Sequence, residues 1–344
     1  MTPTPAVSRR SLLVGGGAAG ALALLAACSS GTAARSAASA SASTGASGLV
    51  IGLTYTPNVQ FAPFYMALAD GRYSAGVSLR HHGAQEGQFD ALLAGTEQLV
   101  VAGADEAAVA ASNGNGLVVV GGFYQTYPGC VIIRESSDVT ELADLKGRTI
   151  GTPGRTGETW YTLQVALKTA GLTEDDVTVQ EIGYTQQAAL VGGKVDAIVG
   201  FSNNDAVQIA QNGTKVRTIA AADDVPLVGA SLVTTKDYLA THRELLADAV
   251  TASAAGMAQF VDDPDGAVTA TKKYVTDLAD STQAANAREV AVATAELVRP
   301  GASTVVGSLR SEDVDTMLTF LGDQGLLGSD SVTVDDVCDP LLSA

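Results

Sequence analysis

The sequence predicts an α/β protein with two lobes. Short strands alternate with helical segments from residue 49 onward, the pattern of parallel sheets covered by helices. Residues 117–123 form an unbroken apolar run, typical of a strand buried on both faces. Turn residues interrupt the strand series at Pro128–Gly129 and at Pro226, where we expect the chain to cross between lobes and to hinge. The predicted boundaries are residues 49–130 and 227–344 for the first lobe and 131–226 for the second.

In the first lobe, each of the first three strands leads through a loop into a helix. Its predicted strands are residues 49–55, 77–82, 99–101 and 117–123, and a strand at 228–234 returns to it after the second crossing. Four further helices are predicted at about residues 241–261, 267–275, 283–298 and 312–321. The first of them has a capping-box pattern beginning at Thr241. These helices carry no polar constellation, so we expect them to pack against the lobe.

The second lobe is organised around a strand, a glycine-rich turn and a helix within residues 148–171. Its predicted strands are residues 131–134, 149–152, 178–182, 195–201 and 216–220. The helix begins near Thr156 and ends at Gly171, and its start offers unpaired backbone N–H groups at the carboxyl end of a strand. The side chains offered there are Arg155, Thr156, Glu158, Thr159 and Trp160. Glu158 would repel a phosphate, and no Lys follows the glycines, so this is not a Walker loop. The alternative is an ordinary connection with Trp160 in the core.

The N-terminal residues are predicted to direct export. Residues 8–13 resemble a twin-arginine consensus, and residues 25–28 resemble a lipobox ending at Cys28. We therefore expect residues 1–28 to be a lipoprotein signal, with Cys28 lipidated on the outer face of the cell membrane. Residues 29–48 are almost only Ser, Ala, Gly and Thr, which predicts a flexible tether. The alternative is a simple secretory signal with Cys28 incidental.

Charge and cysteine content limit the other partners and bonds. The formal net charge is −17, which argues against nucleic acid as a partner. Cys130 and Cys338 would remain after lipidation, and an extracytoplasmic location allows a disulfide between them that ties the C-terminal tail to the body. His81 and His82 point to opposite faces of a strand, so they cannot ligate one metal. We expect no catalytic set, no metal and no cofactor.

Aromatic and polar residues cluster near the predicted strand ends, where ligands bind in open α/β sheets. The aromatic residues there are Tyr55, Phe61, Phe64, Tyr65, Phe123, Tyr124, Tyr127, Trp160, Tyr161, Tyr184 and Phe201. The polar residues are Asn58, Gln60, Gln85, Glu86, Asp105, Glu106, Gln125, Glu158, Gln186, Asn203, Asn204 and Asp205. Carboxylates and amides outnumber the single Arg155, which favours a flat ligand with N–H donors over a small anion. Core packing of the aromatics and helix capping by the acids are the alternatives.

Three segments carry a resemblance to a known family. They are LTYTPNVQFAPFY at residues 53–65, DLKGRTIGTPG at 144–154 and GKVDAIVGF at 193–201. Together with the lipobox and tether, they resemble the solute-binding lipoproteins of ABC importers, in the branch for thiamine-pyrimidine precursors, riboflavin, sulfonates and nitrate. The resemblance implies a type II periplasmic-binding-protein fold with two crossover strands. It also implies ligand contacts from Asn58, Phe61, Asp105, residues 155–160, Tyr184 and Asn203.

The predicted function is therefore capture of a small aromatic nitrogen heterocycle by closure of the two lobes. The expected partners are an ABC permease and its ATPase, and the receptor is expected to be a monomer. The predicted ligand-binding residues are Asn58, Phe61, Tyr65, Gln85, Glu86, Asp105, Tyr124, Arg155, Thr156, Glu158, Thr159, Trp160, Tyr184, Asn203 and Asn204. Two alternatives stay open: a sulfonate or nitrate receptor, and an enzyme like the one that makes the thiamine pyrimidine. The cysteine-rich motif of that enzyme is missing from this sequence.

Overall fold

The computed structural model describes residues 48–83 and 86–342. The predicted signal, the lipidation site at Cys28, residues 29–47 of the predicted tether, and Gln85 lie outside these residues. Within the described ranges, no helix combines the length and the apolar character needed to cross a membrane.

The elements alternate along the chain as the sequence predicts. The strands are β1 (Val50–Leu53), β2 (Ser78–His81), β3 (Leu99–Gly103), β4 (Leu117–Gly122), β5 (Gly129–Arg134), β6 (Thr149–Thr152), β7 (Thr178–Glu181), β8 (Ala197–Phe201), β9 (Val216–Ala220) and β10 (Ala230–Thr235). The helices are α1 (Ala62–Ala69), α2 (Asp90–Leu93), α3 (Ala104–Ala111), α4 (Gly157–Ala170), α5 (Gln186–Val191), α6 (Asp205–Gln211), α7 (Lys236–Asp262), α8 (Pro264–Thr271), α9 (Ser281–Val298), α10 (Ser311–Asp323) and α11 (Val334–Val337). A short 3-10 turn, Val59–Phe61, precedes α1.

The strands form two five-stranded sheets, which confirms the two-lobed α/β fold. The first sheet has the order β2-β1-β3-β10-β4 and the second the order β7-β6-β8-β5-β9. In each sheet the fourth strand is antiparallel to its neighbours: β10 pairs with β3 and β4, and β5 pairs with β8 and β9. The chain therefore crosses between the sheets twice, between β4 and β5 and again between β9 and β10.

Helices from both lobes share part of one apolar core. Ala107 and Ala108 of α3 belong to the same buried cluster as Tyr161 and Leu163 of α4. Gly171 ends α4 in the left-handed conformation with φ 67°, as expected of a C-terminal glycine. Since α3 follows β3 and α4 follows β6, this contact brings the carboxyl ends of strands from both sheets close together.

The helical stretch α7 begins at Lys236, before the predicted start at Thr241, and a break at His242 divides it into two segments. Thr235 caps the helix by accepting a hydrogen bond from the Tyr238 N–H at 3.2 Å. The Thr241 hydroxyl instead donates to the backbone oxygen of Asp237 at 3.1 Å. The helix is kinked at His242, where φ is −133°. Thr241 therefore lies at the break between two helical segments, and its hydroxyl bonds to the preceding segment.

The disulfide considered between Cys130 and Cys338 is not formed. Both residues are buried free thiols, Cys130 in β5 of the second sheet and Cys338 beside β4 of the first. The C-terminal tail is held by backbone hydrogen bonds to β4, since the N–H groups of Asp339 and Leu341 donate to β4 carbonyls at 2.9 and 2.8 Å. Burial raises the pKa of the Cys130 thiol to about 12, which makes it unreactive.

Candidate ligand-binding site

Three carboxyl groups from the two lobes meet at the strand ends. Asp105 and Glu106 begin α3 directly after β3, and Glu158 lies in the first turn of α4 after β6. A Cβ atom placed on Gly103 would lie 2.4 Å from Asp105 Oδ1 and 3.2 Å from Glu158 Cγ. A side chain at Gly103 would therefore displace carboxyl groups of this acid cluster.

Tyr127, in the first crossover segment, contacts two residues of the acid cluster. Its hydroxyl lies 2.8 Å from Asp105 Oδ2, to which it donates, and 3.1 Å from the backbone oxygen of Glu158. Glu106 accepts hydrogen bonds from the Gln88 side chain and from the Gly103 N–H. The crossover segment therefore contacts both lobes at the acids.

Burial raises the pKa values of all three acids. For Asp105 and Glu158, loss of solvent raises the pKa well above its ordinary value, and the charges of the neighbouring acids add to the effect. Burial also raises the pKa of Glu106, although its hydrogen bond from Gln88 opposes the shift. Three carboxylates in one enclosed space cannot all be ionised cheaply, so the cluster holds protons or attracts a donor-rich or cationic group.

One oxygen of the cluster is left without a partner. Glu158 Oε1 is enclosed and makes no hydrogen bond among the described residues. It faces the second crossover segment, where a Cβ on Gly229 would lie 3.0 Å away. An enclosed carboxylate oxygen without a donor costs free energy. Glu158 is therefore the acid best suited to accept a hydrogen bond from a ligand N–H group.

A second set of polar contacts links the lobes beside the acids. Asn203 follows β8 in the second lobe and is buried, and its Nδ2 lies 2.9 Å from Thr294 Oγ1 of α9 and 3.4 Å from the Tyr124 hydroxyl. Gln60 Nε2 donates to the same hydroxyl at 3.3 Å. Asn203 Oδ1 has no hydrogen-bond partner among the residues described. These contacts place the predicted residues Tyr124 and Asn203 together.

Two cavities open beside these contacts. One of about 260 Å³ is lined by residues 57–60, by α6 of the second lobe and by α9, and it includes the predicted residues Asn58 and Asn204. The other, of about 550 Å³, lies between Ser202–Asn203 and the carboxyl end of α9. Both therefore lie on the seam between lobes.

Three residues of the first lobe that were predicted to bind the ligand make other contacts within that lobe. The Tyr65 ring stacks on Tyr274 with centroids 3.9 Å apart, and its hydroxyl lies 2.8 Å from His81 Nε2. Phe61 is buried against the same His81 ring. Glu86 pairs with Arg80 at 2.6 Å. Packing and ion pairing therefore account for these three predicted residues.

The predicted residues at the start of α4 divide between surface and core. The Arg155 guanidinium is largely exposed and forms ion pairs with Glu174 and Glu181. Its carbon Cζ lies 4.9 Å from the centre of the Trp160 ring, and Trp160 belongs to the buried core cluster with 6% of its surface exposed. Thr156 is exposed and Thr159 half-buried. Tyr184, with 76% exposure, extends from the end of β7 into solvent.

Comparison with known families identifies the chain. Residues 58–267 match the family model described as NMT1/THI5 like, which covers more than half of the sequence. The chain belongs to this family. The matched range contains strands β2 to β10 and the acid cluster, begins after β1, and stops within α8.

Two relatives in sequence carry different names. The "Riboflavin-binding protein RibY" of Chloroflexus aurantiacus is 33% identical over 232 residues, which are 66% of this chain and 66% of the relative. The "4-amino-5-hydroxymethyl-2-methylpyrimidine phosphate synthase" of Aspergillus parasiticus is 29% identical over 87 residues, 25% of each chain. The chain thus spans slightly less than two thirds of the first relative and a quarter of the second.

A solved structure supports the fold. The periplasmic aliphatic sulphonate binding protein SsuA of Escherichia coli superimposes with a TM-score of 0.65 at 19% identity, covering 81% of this chain and 93% of SsuA. The chain therefore shares the two-lobed fold of SsuA. At this identity the likeness concerns the fold alone.

Sequence reasoning missed the contribution of α9. We expected this helix only to pack, but residues along its length line both cavities, and Thr294 bonds to the second lobe. Tyr127 and Glu106 were recognised at strand ends but not selected as site residues. The sequence signal for Thr294 was its hydroxyl group within the apolar part of α9. That signal indicates a contact between the lobes only once its partner Asn203 is known.

Proposed function

We propose that the protein is an extracytoplasmic solute-binding lipoprotein of an ABC importer. It captures a small aromatic nitrogen heterocycle, a thiamine-pyrimidine precursor or riboflavin, and delivers it to a permease and ATPase. The lipid on Cys28 tethers it, as a monomer, to the outer face of the cell membrane. Family membership and the two-lobed fold support the receptor part of this proposal.

The acid cluster is the observation that supports a heterocycle as the ligand. Asp105 and Glu158 come from different lobes, are held close together, and have raised pKa values because they are buried near one another. A heterocycle whose ring nitrogens and amino groups donate hydrogen bonds would satisfy Glu158 Oε1 and relieve repulsion between the acids. Because such a ligand contacts both lobes, it would stabilise the closed arrangement.

The same cluster argues against an anionic ligand. A sulfonate or nitrate beside Asp105, Glu106 and Glu158 would add negative charge to an enclosed acidic space. Arg155 could offset this, but its guanidinium is paired with Glu174 and Glu181. The geometry therefore favours a neutral or cationic ligand over an anion.

Calorimetric titration tests this proposal. The purified protein is titrated with riboflavin, with 4-amino-5-hydroxymethyl-2-methylpyrimidine, and with taurine as the sulfonate. We expect saturable binding of one heterocycle and none of taurine. Taurine binding with neither heterocycle bound would overturn the choice of ligand while leaving the receptor class in place.

An enzyme is the competing class, since one relative is named as a synthase. Incubating the protein with the bound heterocycle, added metal ions and pyridoxal phosphate, followed by mass spectrometry, separates the two. We expect the heterocycle to be recovered unchanged. A chemically altered product that depends on the protein would contradict the receptor proposal.

A further inference from the structure

The cavity of about 260 Å³ between the lobes has an unusual lining, and we call it the amide pocket. Of the fourteen residues that line it, eight are Asn or Gln and the other six are apolar. Asn58 and Gln60 come from the first lobe, Asn204, Gln208 and Gln211 from the second. Further along, α9 adds Gln283 and Asn286. None of these lining side chains carries a charge.

The hydrogen bonds that the structure records use only part of the capacity of these amides. Asn58 Oδ1 accepts from the Gln60 N–H at 2.8 Å, and Asn58 Nδ2 donates to the Thr56 oxygen at 3.0 Å. Gln208 donates to the Asn204 side chain, and Gln211 Nε2 donates to the Asn286 backbone oxygen at 2.9 Å. Each side-chain amide has two N–H donors and a carbonyl oxygen with two lone pairs. The pocket can therefore offer several donors and several acceptors to a ligand at once.

We infer that the amide pocket binds a neutral polyhydroxylated chain, as carried by a heterocycle with a sugar-alcohol substituent. This inference rests on the proposed function and narrows its ligand. A hydroxyl group is both donor and acceptor, so a row of hydroxyls matches a lining of amides. A charged group would find no counter-charge in the lining, and an apolar group would leave amides unsatisfied.

Its size fits part of a ligand. At about 260 Å³, the pocket lies just below the range of roughly 300–1,000 Å³ that holds a whole small molecule. A hydroxylated side chain fits this space, and the ring to which it is attached would lie outside it.

The pocket is connected to the acid cluster through Tyr124. Gln60, in the pocket lining, donates to the Tyr124 hydroxyl at 3.3 Å. Three residues further along the same crossover segment, the Tyr127 hydroxyl contacts Asp105 Oδ2 and the Glu158 backbone oxygen, so this segment runs from the pocket to the acids. Burial raises the pKa of Tyr124, and the Glu158 charge adds to the rise. A ligand with its ring at Glu158 would direct its hydroxylated chain past Tyr124 into the amide pocket.

A matched pair of flavins tests the inference. Riboflavin carries a ribityl chain where lumiflavin carries a methyl group, so the two differ only in the part that the amide pocket would hold. We expect riboflavin to bind at least about tenfold more tightly, the effect of one or two hydrogen bonds. Asn286→Leu, and separately Gln283→Leu, should reduce this preference toward one.

Gln187→Leu on α5 is the control, because Gln187 lies outside the pocket lining, and this variant should keep the full preference. Equal affinity for the two flavins, or a preference that survives both pocket substitutions in folded protein, would overturn the inference. Binding of the aminopyrimidine alone would also overturn it, yet leave the proposed importer function standing. Binding of ribitol but of no heterocycle, lost in Asn286→Leu, would support the pocket and contradict the proposed ligand. Binding of none of these probes would overturn both.

Discussion

Asn203 Nδ2 donates a hydrogen bond to Thr294 Oγ1 at 2.9 Å, and this bond joins the second lobe to α9 of the first. Both side chains are buried. A second bond, from Gln211 Nε2 to the Asn286 backbone oxygen, joins α6 to the same helix. The N–H groups of Gln125 and Thr126 in the first crossover donate to the Leu297 oxygen near the end of α9. Helix α9 thus contacts one crossover segment and one face of the second lobe.

Thr294→Val should therefore favour opening of the lobes. The substitution keeps the shape of the side chain but leaves the buried Asn203 amide without its best acceptor, at a cost of about 1–2 kcal/mol to the closed arrangement. If ligand binds only the closed arrangement, its apparent affinity should fall about fivefold to thirtyfold. Titration gives the affinity, and small-angle X-ray scattering of the free protein should show a larger radius of gyration.

Thr269→Val is the matched control, since Thr269 lies on the exposed face of α8 and its hydroxyl donates to the Asp265 oxygen. It should change neither the affinity nor the radius. If a folded Thr294→Val protein keeps the parent affinity and compactness, α9 has no part in closure.

The acid cluster predicts that stability falls as pH rises. The pKa values of Asp105, Glu106 and Glu158 are raised in the folded state, so above about pH 4 the folded protein binds more protons than the unfolded chain. The free energy of unfolding therefore decreases as pH rises. Once a group is ionised in both states, the decrease is about 1.4 kcal/mol for each unit by which folding raises the pKa of that group. Urea denaturation of the ligand-free protein between pH 4.5 and 8 measures this slope.

Glu158→Gln should flatten the slope, because it removes one of the three buried charges. We expect the free energy of unfolding at pH 8 to rise by about 1 kcal/mol or more, while heterocycle binding weakens. Glu289→Gln on the exposed side of α9 is the control and should leave the slope unchanged. A lower stability of Glu158→Gln at pH 8 would show that Glu158 is not repelled in the folded protein.

Tyr127→Phe tests the contact that the first crossover segment makes with Asp105 and Glu158. The Tyr127 hydroxyl hydrogen bond lowers the pKa of Asp105, so its loss should penalise the ionised form of this acid. We expect a loss of about 1–2 kcal/mol in the free energy of unfolding, larger at pH 8 than at pH 5. Tyr238→Phe, whose ring stacks on His242 at the surface, provides the comparison. An equal loss at both pH values would mean that the hydroxyl acts independently of Asp105.

The sequence predicts the fold from local patterns, whereas the contacts of the candidate site residues depend on the tertiary structure. Alternation of strand and helix depends on local patterns, so the two strand series and the acids after β3 and β6 could be read directly. The partners of those residues depend on distant segments. Arg155 was expected to face a ligand, but Glu174 and Glu181 approach it from another turn and strand. Thr294 and Asn203 lie 91 residues apart, and no periodic pattern joins them.

Trp160 gives the most direct test of where the ring of the ligand lies. Its indole is 6% exposed and part of the core shared by α3 and α4, with Arg155 over the ring. Trp160→Ala would therefore remove core volume and cost about 3–5 kcal/mol of stability, which would obscure any effect on binding. Trp160→Phe retains an aromatic core residue and is the better variant.

The contact of Trp160 with the ligand stays a prediction, and fluorescence separates stacking of the indole on a heterocycle from simple packing. As the only tryptophan, Trp160 should show blue-shifted emission and slow quenching by iodide in the free protein, because it is buried. If the ring of the ligand reaches the indole, Trp160→Phe should weaken binding about twofold to tenfold, the contribution expected of one aromatic stack. Suppose instead that Trp160→Phe keeps the parent affinity, while the ligand still quenches the emission of the parent protein. The indole would then lie near the site but in the core, and Glu158 and Tyr124 would be left to recognise the ring.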